Sequence, residues 1–276
     1  MEPIFTTDLF LPLQVELVTL LRSLSPSDWY LPTIAGSWRI KHVAAHILDG
    51  DLRRISLHRD GLSMGPKDSS PPEYGDLVTF LNGLNASWIS ATERLSPRVL
   101  TDLLEWAGPQ VADFFASLPP HEAALFPVAW AGEERSENWM DISRDYTEKW
   151  HHQAQIRDAA GAAPLMSRRW LYPVLALSMH ALPYTFRRTD APIGSALNVS
   201  IEGEAGGQWS LVREAGRWKI RAGEEPGPSA TVRMDADTAW RLFFNGLGPE
   251  DAGRRIEATG DAGLSATFMT ARAVMV

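Results

Sequence analysis

Glu148 and His152 are separated by four positions in the stretch EKWHHQAQIRDAAG, in a chain that has only seven histidines. Residues four apart lie on the same face of an α-helix, so a carboxylate and an imidazole can approach one point. His151 is rotated by about 100° around the helix axis and is not expected to join them. The spacing fits two ligands of a divalent metal ion. It equally fits the polar edge of an amphipathic helix, where Glu and His are common.

A second pair with the same spacing, His42 and His46, occurs in the stretch WRIKHVAAHILDGD. One of these imidazoles could supply a third ligand to the same ion. Two or three histidines with one carboxylate, and one position left for water, are typical of catalytic zinc sites, although other divalent metals accept these ligands. The pair could also belong to a polar helix face, because Asp49 and Arg53 are predicted on the same side.

The chain contains no cysteine, and this restricts the chemistry of any site. Disulfides, thiolate metal ligands and a cysteine nucleophile are excluded, so a metal ion must be held by His, Asp or Glu side chains. Any thiol that takes part in a reaction must come from a small molecule.

Charge and hydropathy argue against two classes of partner. The 276-residue chain has a formal net charge of -8 and no dense run of Lys and Arg, so no nucleic-acid partner is predicted. The N-terminal stretch MEPIFTTDLFLPLQ lacks the basic region of a signal peptide, and no apolar run has the length of a membrane span. We therefore expect a cytoplasmic protein without a membrane partner.

The first part of the chain is predicted to be helical. One helix is expected after Thr7 or Asp8 as N-cap, and a second after Ser37 as N-cap. The stretch GLSMGPKDSSPPE predicts a loop, because Gly, Pro and Ser disfavour regular structure. Two further helical stretches follow, and Pro109 is expected to kink or interrupt the second.

The helix that contains Glu148 and His152 is predicted to run from about residue 141 to 160. Gly161, with a proline three residues beyond it, is a common signature of a helix C-terminus. The stretch ALNVSIEGEAGGQWSLVREAGRWKIRAG then alternates apolar and polar residues between glycine-rich turns, which predicts antiparallel strands. The pattern indicates a helical bundle at 1–163 followed by a smaller α+β domain at 164–276.

Two stretches, WRIKHVAAHILDGD and DYTEKWHHQAQIRDAAG, together resemble the pattern of DinB-like four-helix bundles. Their order and spacing are most similar to the mycothiol-dependent maleylpyruvate isomerase family. The segment ATVRMDADTAWRLFFNGLG is similar to the small C-terminal domain of that family, which is related in shape to sterol-carrier proteins. The resemblance implies a DinB-like four-helix bundle at the N-terminus and a sterol-carrier-like α+β domain at the C-terminus.

The resemblance also implies the ligands of a divalent metal ion, often zinc, that binds a low-molecular-weight thiol such as mycothiol. Carried over by position, these ligands are His46, Glu148 and His152. The family pattern offers no counterpart for His42. The candidates for a role around the metal ion or in binding a carboxylated substrate are His42, Asp49, Arg233 and Arg241.

A reaction follows from the same resemblance. The metal lowers the pKa of the bound thiol, and the thiolate attacks an electrophilic carbon of the substrate. With a maleylpyruvate-like substrate, the adduct rotates about the former double bond and expels the thiol, which gives the trans product; other substrates would undergo thiol transfer. No catalytic side chain beyond the ligands is predicted. Two alternatives stay open: a metal-binding protein of this fold without that activity, and a protein that binds a small ligand in its C-terminal domain.

Overall fold

A computed structural model describes residues 1–63 and 74–275 of the chain. The chain forms two compact units, which we call the helical unit and the sheet unit. The helical unit consists of Thr6–Leu125 and Glu148–Pro164, and the sheet unit of Met1–Phe5, Phe126–Thr147 and Leu165–Val276. The predicted class, a helical N-terminal part followed by an α+β part, is confirmed.

The two units do not follow the predicted domain boundary along the whole chain. The junction between Pro164 and Leu165 is one residue from the predicted boundary, whereas Phe126–Thr147 groups with the sheet. Whether residues 1–163 and 164–276 are two domains that fold independently stays a prediction.

Five long helices supply the helical unit. They are α1 (Phe10–Ser23), α2 (Ile40–Arg53), α3 (Tyr74–Thr92), α4 (Pro97–Ser117) and the second half of α5 (Asn138–Ala159). The π-helical turn Arg54–Arg59 continues α2. Gly161 follows α5 with a φ of +63°, a left-handed conformation in which glycine lacks the Cβ penalty, so it ends the helix as predicted.

The N-caps of the first two helices differ from the prediction. Thr7–Leu9 forms a 3-10 turn, so neither Thr7 nor Asp8 caps α1. Ser37 does not cap α2 either, because the N-cap position is Arg39, whose backbone N–H donates to Nδ1 of His42 at 3.3 Å. An imidazole at the third helical position thus takes the role of the Glu or Gln side chain in a capping box.

α4 continues through Pro109, so the helix is not interrupted there, and a kink at Pro109 stays a prediction. Its apolar face is buried on both sides of the proline, with Leu104 and Val111 inaccessible to solvent. Tertiary packing of such a face outweighs the hydrogen bond lost at a proline. Of the predicted loop at 61–73, residues 61–63 are non-helical and the rest lies outside the described residues.

The core of the helical unit is formed by apolar faces of α1, α2 and α4, which pack together. On α1 the buried positions recur at helical spacing, as in Leu13, Leu17 and Leu21. Gly108 of α4 lets Gln14 approach, since a Cβ there would lie 2.3 Å from the Gln14 side chain. Gln14 Nε2 donates to the Leu104 carbonyl oxygen at 2.7 Å, which satisfies a buried polar group.

α2 is positioned by the same core. Its fully buried residues are Ile40, Val43, Ala44, Ala45 and Leu48. The apolar stripe fixes the rotation of the helix, so the polar side chains of α2 are carried at defined positions beside it.

The sheet unit contains five strands in the order β3-β2-β1-β4-β5. The strands are β1 (Ala196–Glu202), β2 (Gly207–Glu214), β3 (Arg217–Ala222), β4 (Ala230–Asp235) and β5 (Glu257–Gly260). β1 pairs parallel with β4, and the other neighbours are antiparallel. The predicted hairpins are therefore present, and Val199 at the centre lies opposite Trp209 on one side and Val232 on the other.

Five short helices accompany this sheet. They are α6 (Arg168–Ser178), α7 (Ala181–Thr185), α8 (Ala236–Phe243), α9 (Pro249–Arg255) and α10 (Ala262–Phe268). Asp235 caps α8 by accepting from the Thr238 backbone N–H at 2.6 Å. Within the described ranges, no helix combines the length and the apolar character needed to cross a membrane.

Candidate metal centre

His46 on α2 and the pair Glu148 and His152 on α5 lie together in the helical unit. Each offers one potential ligand atom, and these atoms are all within 4.8 Å of one another. Glu148 Oε2 is 3.5 Å from His152 Nε2. A tetrahedral zinc site with bonds of ~2.1 Å separates its ligands by about 3.4 Å, so this pair already has a suitable spacing. We call these three residues the His–Glu–His cluster.

The ring of His152 is oriented by Gln155. Its Nδ1 is 2.9 Å from Oε1 of Gln155, which can only accept, so the proton is assigned to Nδ1. Nε2 then carries a lone pair and faces Glu148. Metal-binding histidines are commonly held in this way by a partner on the other ring nitrogen. Sequence reasoning missed Gln155, although its i, i+3 spacing from His152 was visible.

His46 presents a buried nitrogen that needs a partner. Its Nδ1 is buried and has no hydrogen-bond partner among the described residues. The ring lies edge-on to His152, with centroids 4.7 Å apart, and 5.0 Å from the ring of Trp38. Burial, followed by the nearby His152, holds the pKa of His46 well below its usual value of 6.5. The ring is therefore neutral at neutral pH, which is the form that binds metals.

His151 lies closer to the cluster than a rotation of 100° suggests. Its ring centroid is 3.9 Å from that of His152, and its Nδ1 is 3.9 Å from Glu148 Oε2. The side chain is buried, and it does not belong to the set of three mutually close ligand atoms. Its position beside Glu148 and His152 makes it part of the packing around the cluster.

The other candidates on α2 have partners of their own. His42 uses Nδ1 to accept the Arg39 N–H and lies 2.7 Å from Glu93 through Nε2, so both ring nitrogens are occupied. Asp49 is 3.0 Å from Arg53. Burial raises the pKa of Asp49, and Arg53 partly opposes this shift.

The two arginines predicted to bind a substrate belong to the sheet unit. Arg233 is exposed and lies 3.9 Å from Glu202. Arg241 pairs with Asp237 at 2.9 Å and stacks over Trp240. Each cation thus has a carboxylate beside it, and a role of either one in substrate binding stays a prediction.

A buried ion pair joins the two helices that carry the cluster. Lys149, the neighbour of Glu148 on α5, donates to Asp51 on α2, whose side chain is inaccessible to solvent. Sequence reasoning missed this pair, since neither residue follows a recognisable motif. A buried pair of this kind favours one register of α2 against α5 over others.

Comparison with known families decides the relationship that the motifs suggested. The model of the mycothiol maleylpyruvate isomerase N-terminal domain matches residues 10–157, more than half of the chain. The chain belongs to this family. The match includes all three residues of the His–Glu–His cluster.

Solved structures of the mycothiol maleylpyruvate isomerase family share the fold. The crystal structure of the mycothiol-dependent maleylpyruvate isomerase is similar over 93% of this chain and 92% of that one, with a TM-score of 0.55 and 12% identity. A histidine-to-alanine mutant of that enzyme gives the same values. At this identity the likeness shows the fold alone.

Other comparisons add no argument. Sterol carrier protein 2 like 2 from Aedes aegypti matches 30% of this chain and 78% of that one at 21% identity, with a TM-score of 0.25. No protein with curated annotation is a significant match. The likeness to DinB proteins, zinc as the metal, the cytoplasmic location and the lack of a nucleic-acid partner stay predictions.

Proposed function

We propose that this protein is an isomerase or transferase that depends on a divalent metal ion and on a low-molecular-weight thiol. His46, Glu148 and His152 would hold the metal ion. The main support is that these three side chains place one ligand atom each within 4.8 Å, in a member of a family named for mycothiol and maleylpyruvate.

The donor set fits zinc, which binds His nitrogen and carboxylate oxygen and, in catalytic sites, keeps one position for a further ligand. The buried Nδ1 of His46 supports this fit, because an unpartnered polar atom costs free energy unless something binds it. When bound, such an ion lowers the pKa of a thiol that ligates it.

Each side chain of the cluster has a separate task. Glu148 supplies the one negative charge among the three ligands. A divalent ion bound by them would therefore keep a net positive charge, which attracts a thiolate. His46 is neutral because it is buried, and Gln155 holds the proton of His152 on Nδ1. The chain contributes no thiol of its own, since it has no cysteine. The reacting sulfur would come from the small molecule, mycothiol by analogy with the family.

The substrate would be a small electrophile. With a maleylpyruvate-like cis alkene, the expected reaction is isomerisation to the trans alkene, and with other electrophiles it is transfer of the thiol. The alternative is a protein that keeps the metal site and lacks the activity. These two functions differ in whether mycothiol binds.

Metal content of purified variants tests the ligand set. We expect His46→Ala and His152→Ala to lose at least about 90% of the bound metal, because two ligands cannot replace three. His42→Ala is the matched control, since it lies on the same helix and is outside the cluster. Full metal content in all three variants would overturn the proposal.

A thiol panel then tests the activity. Mycothiol should raise the melting temperature of the metal-loaded protein, because a ligand that binds only the folded state stabilises it by mass action. Turnover of maleylpyruvate should depend on both mycothiol and metal. Metal binding without a mycothiol-induced shift would favour the alternative function.

A further inference from the structure

A cavity of about 320 Å³ lies at one end of the sheet in the sheet unit. Its lining comes from three places in the chain: the segment 189–195 before β1, Ser229 just before β4, and the start of α10 with Asp261, Gly263 and Leu264. Ligand pockets in proteins have volumes of about 300–1,000 Å³, so this cavity fits a small molecule.

Backbone hydrogen bonds hold the lining in place. The Asp261 N–H donates to the Ser229 carbonyl oxygen at 2.8 Å, and the Ser229 N–H donates to the Ala196 carbonyl oxygen at 2.8 Å. The indole N–H of Trp218 donates to the Thr189 carbonyl oxygen at 3.1 Å and so fixes the start of the segment 189–195. The fold therefore preforms the cavity, and a ligand need not order its walls.

The charges that line the cavity all have one sign. Asp190 has no ion pair or hydrogen bond of its side chain with another described residue. Asp261 accepts the Leu264 N–H through Oδ1 at 2.9 Å, which leaves Oδ2 available. The other lining residues are uncharged. A concave site with charges of one sign concentrates their field and attracts ligands of the opposite charge.

The uncharged part of the lining suits a cation that carries N–H donors. Ser195 and Ser229 contribute hydroxyl groups, and Pro192 contributes an apolar surface. An ammonium group has three N–H donors and no acceptor, so carboxylate and hydroxyl oxygens can satisfy it. A Cβ at Gly263 would lie 3.2 Å from Asp261 Oδ1, so glycine at this position keeps space open beside the carboxylate.

Other kinds of ligand fit less well. An anion would be repelled by both carboxylates. A divalent metal ion such as calcium takes about six to eight oxygen ligands. Among the described residues, the only group of three or more His, Asp and Glu side chains placed to hold a metal ion is the His–Glu–His cluster. A neutral molecule would gain nothing from the two negative charges.

We propose that this cavity binds a small aliphatic amine in its ammonium form, with Asp190 and Asp261 as its anionic partners. The amine is a ligand separate from the thiol and the electrophile of the proposed reaction. Every lining residue belongs to the sheet unit, whereas the His–Glu–His cluster belongs to the helical unit. The amine site and the proposed function can therefore fail independently of each other.

Titration of the full chain with putrescine, followed by saturation-transfer NMR, tests the site. Asp190→Asn and Asp261→Asn should each weaken binding at least about threefold, because each removes one charge-assisted contact. Asparagine keeps the size of the side chain, and at position 261 it can still cap α10. Glu224→Gln is the matched control, since it removes the same charge from an exposed position of the sheet unit outside the cavity, and it should bind putrescine like the wild type.

Two results of this titration would overturn the proposal. One is the absence of putrescine binding to the wild type. The other is equal weakening in Asp190→Asn, Asp261→Asn and Glu224→Gln, which would show that putrescine is attracted only by the net negative charge of the chain.

Competition experiments test which chemical group is selected. 1,4-Butanediol, which carries hydroxyls in place of the two amines, should bind at least about tenfold more weakly than putrescine, because it lacks the charge. Equal binding of the diol would refute the charge argument. Mg²⁺ should displace putrescine no better than K⁺ at equal ionic strength, and stronger displacement would identify a metal site instead.

The variant His46→Ala separates this cavity from the proposed metal centre. Putrescine affinity should be unchanged in it, because His46 does not line the cavity. Loss of putrescine binding in His46→Ala would place the amine at the His–Glu–His cluster and would refute the cavity assignment.

Discussion

At the scale of single residues, partners determine which nitrogen of each histidine is available. His42 has both nitrogens occupied, whereas His152 has one held by Gln155 and one facing Glu148. His46 has a buried nitrogen without a partner among the described residues. The three histidines thus differ in which ring nitrogen could bind a metal ion, and this difference comes from the neighbouring side chains.

Gln155 allows a sharp test of orientation by a neighbouring side chain. Gln155→Leu removes the acceptor for the His152 Nδ1 proton, so zinc affinity should fall by about tenfold, as is usual when such partners are lost. Gln155→Glu keeps an acceptor at this place and should bind zinc at least as well as the wild type. Competition with a chelating dye measures both affinities. Equal weakening in the two variants would indicate a loss of packing instead.

His180 in the sheet unit predicts a pH dependence of stability. Burial lowers its pKa from 6.5 to about 4, and its Nε2 has no hydrogen-bond partner among the described residues. The unfolded chain therefore binds a proton between pH 6.5 and 4 that the folded protein does not, so the unfolding free energy falls as the pH is lowered through this window.

The variant His180→Asn should lose part of that dependence, by up to about 3 kcal/mol between pH 6.5 and 4. Urea unfolding at a series of pH values measures it. Parallel pH profiles for wild type and His180→Asn would show that this histidine is not buried in its neutral form.

At the scale of elements, the site depends on how α2 lies against α5. The buried pair of Asp51 and Lys149 links the two helices. Asp51→Ala leaves a largely buried ammonium group without its partner, so we expect a loss of about 3 kcal/mol in the unfolding free energy. Asp51→Leu combined with Lys149→Met should recover most of it. Chemical denaturation gives the values.

An exposed ion pair is the control for this experiment. Arg22 lies beside Asp102 and Glu105 at the surface of the helical unit. Arg22→Ala should cost much less than Asp51→Ala, since exposed pairs contribute little. Similar losses for Asp51→Ala and Arg22→Ala would mean that the Asp51–Lys149 pair is hydrated in solution.

Local sequence patterns predict those features that depend on a single helix, such as residue spacing and the helix end. The i, i+4 spacing of Glu148 and His152, and the helix stop at Gly161, follow from helix geometry alone and agree with the structure. The N-cap at Ser37 was wrong, because a cap depends on the backbone angles at one position and several residues there can accept a hydrogen bond.

Contacts between helices could not be predicted from the sequence patterns. The choice of His46 over His42 came from the family resemblance, since nothing in the spacing distinguishes the two. The Asp51–Lys149 pair depends on the packing of α2 against α5. Such packing is fixed by the sum of many weak apolar contacts, which no short motif reports.

At the scale of the whole molecule, α5 belongs to both units. Its first half groups with the sheet and its second half, from Glu148 onward, with the helical unit. Tyr146 illustrates the first half, because its ring is buried and its hydroxyl donates to the Trp170 carbonyl oxygen at 2.9 Å. The helix that supplies two ligands is thus also part of the sheet unit's core.

A fragment of residues 1–163 tests the predicted domain boundary. Every residue of the His–Glu–His cluster is inside it, so we expect it to fold and to bind zinc within about threefold of the full chain. Its unfolding free energy should be lower, because buried residues of the first half of α5, such as Ile142 and Tyr146, lose their partners in the sheet unit. Tyr146→Phe in the full chain, which removes only the hydroxyl contact, should cost about 1 kcal/mol. Denaturation and zinc titration measure both properties, and a fragment that stays unfolded with zinc present would show that Phe126–Thr147 cannot be separated from the sheet.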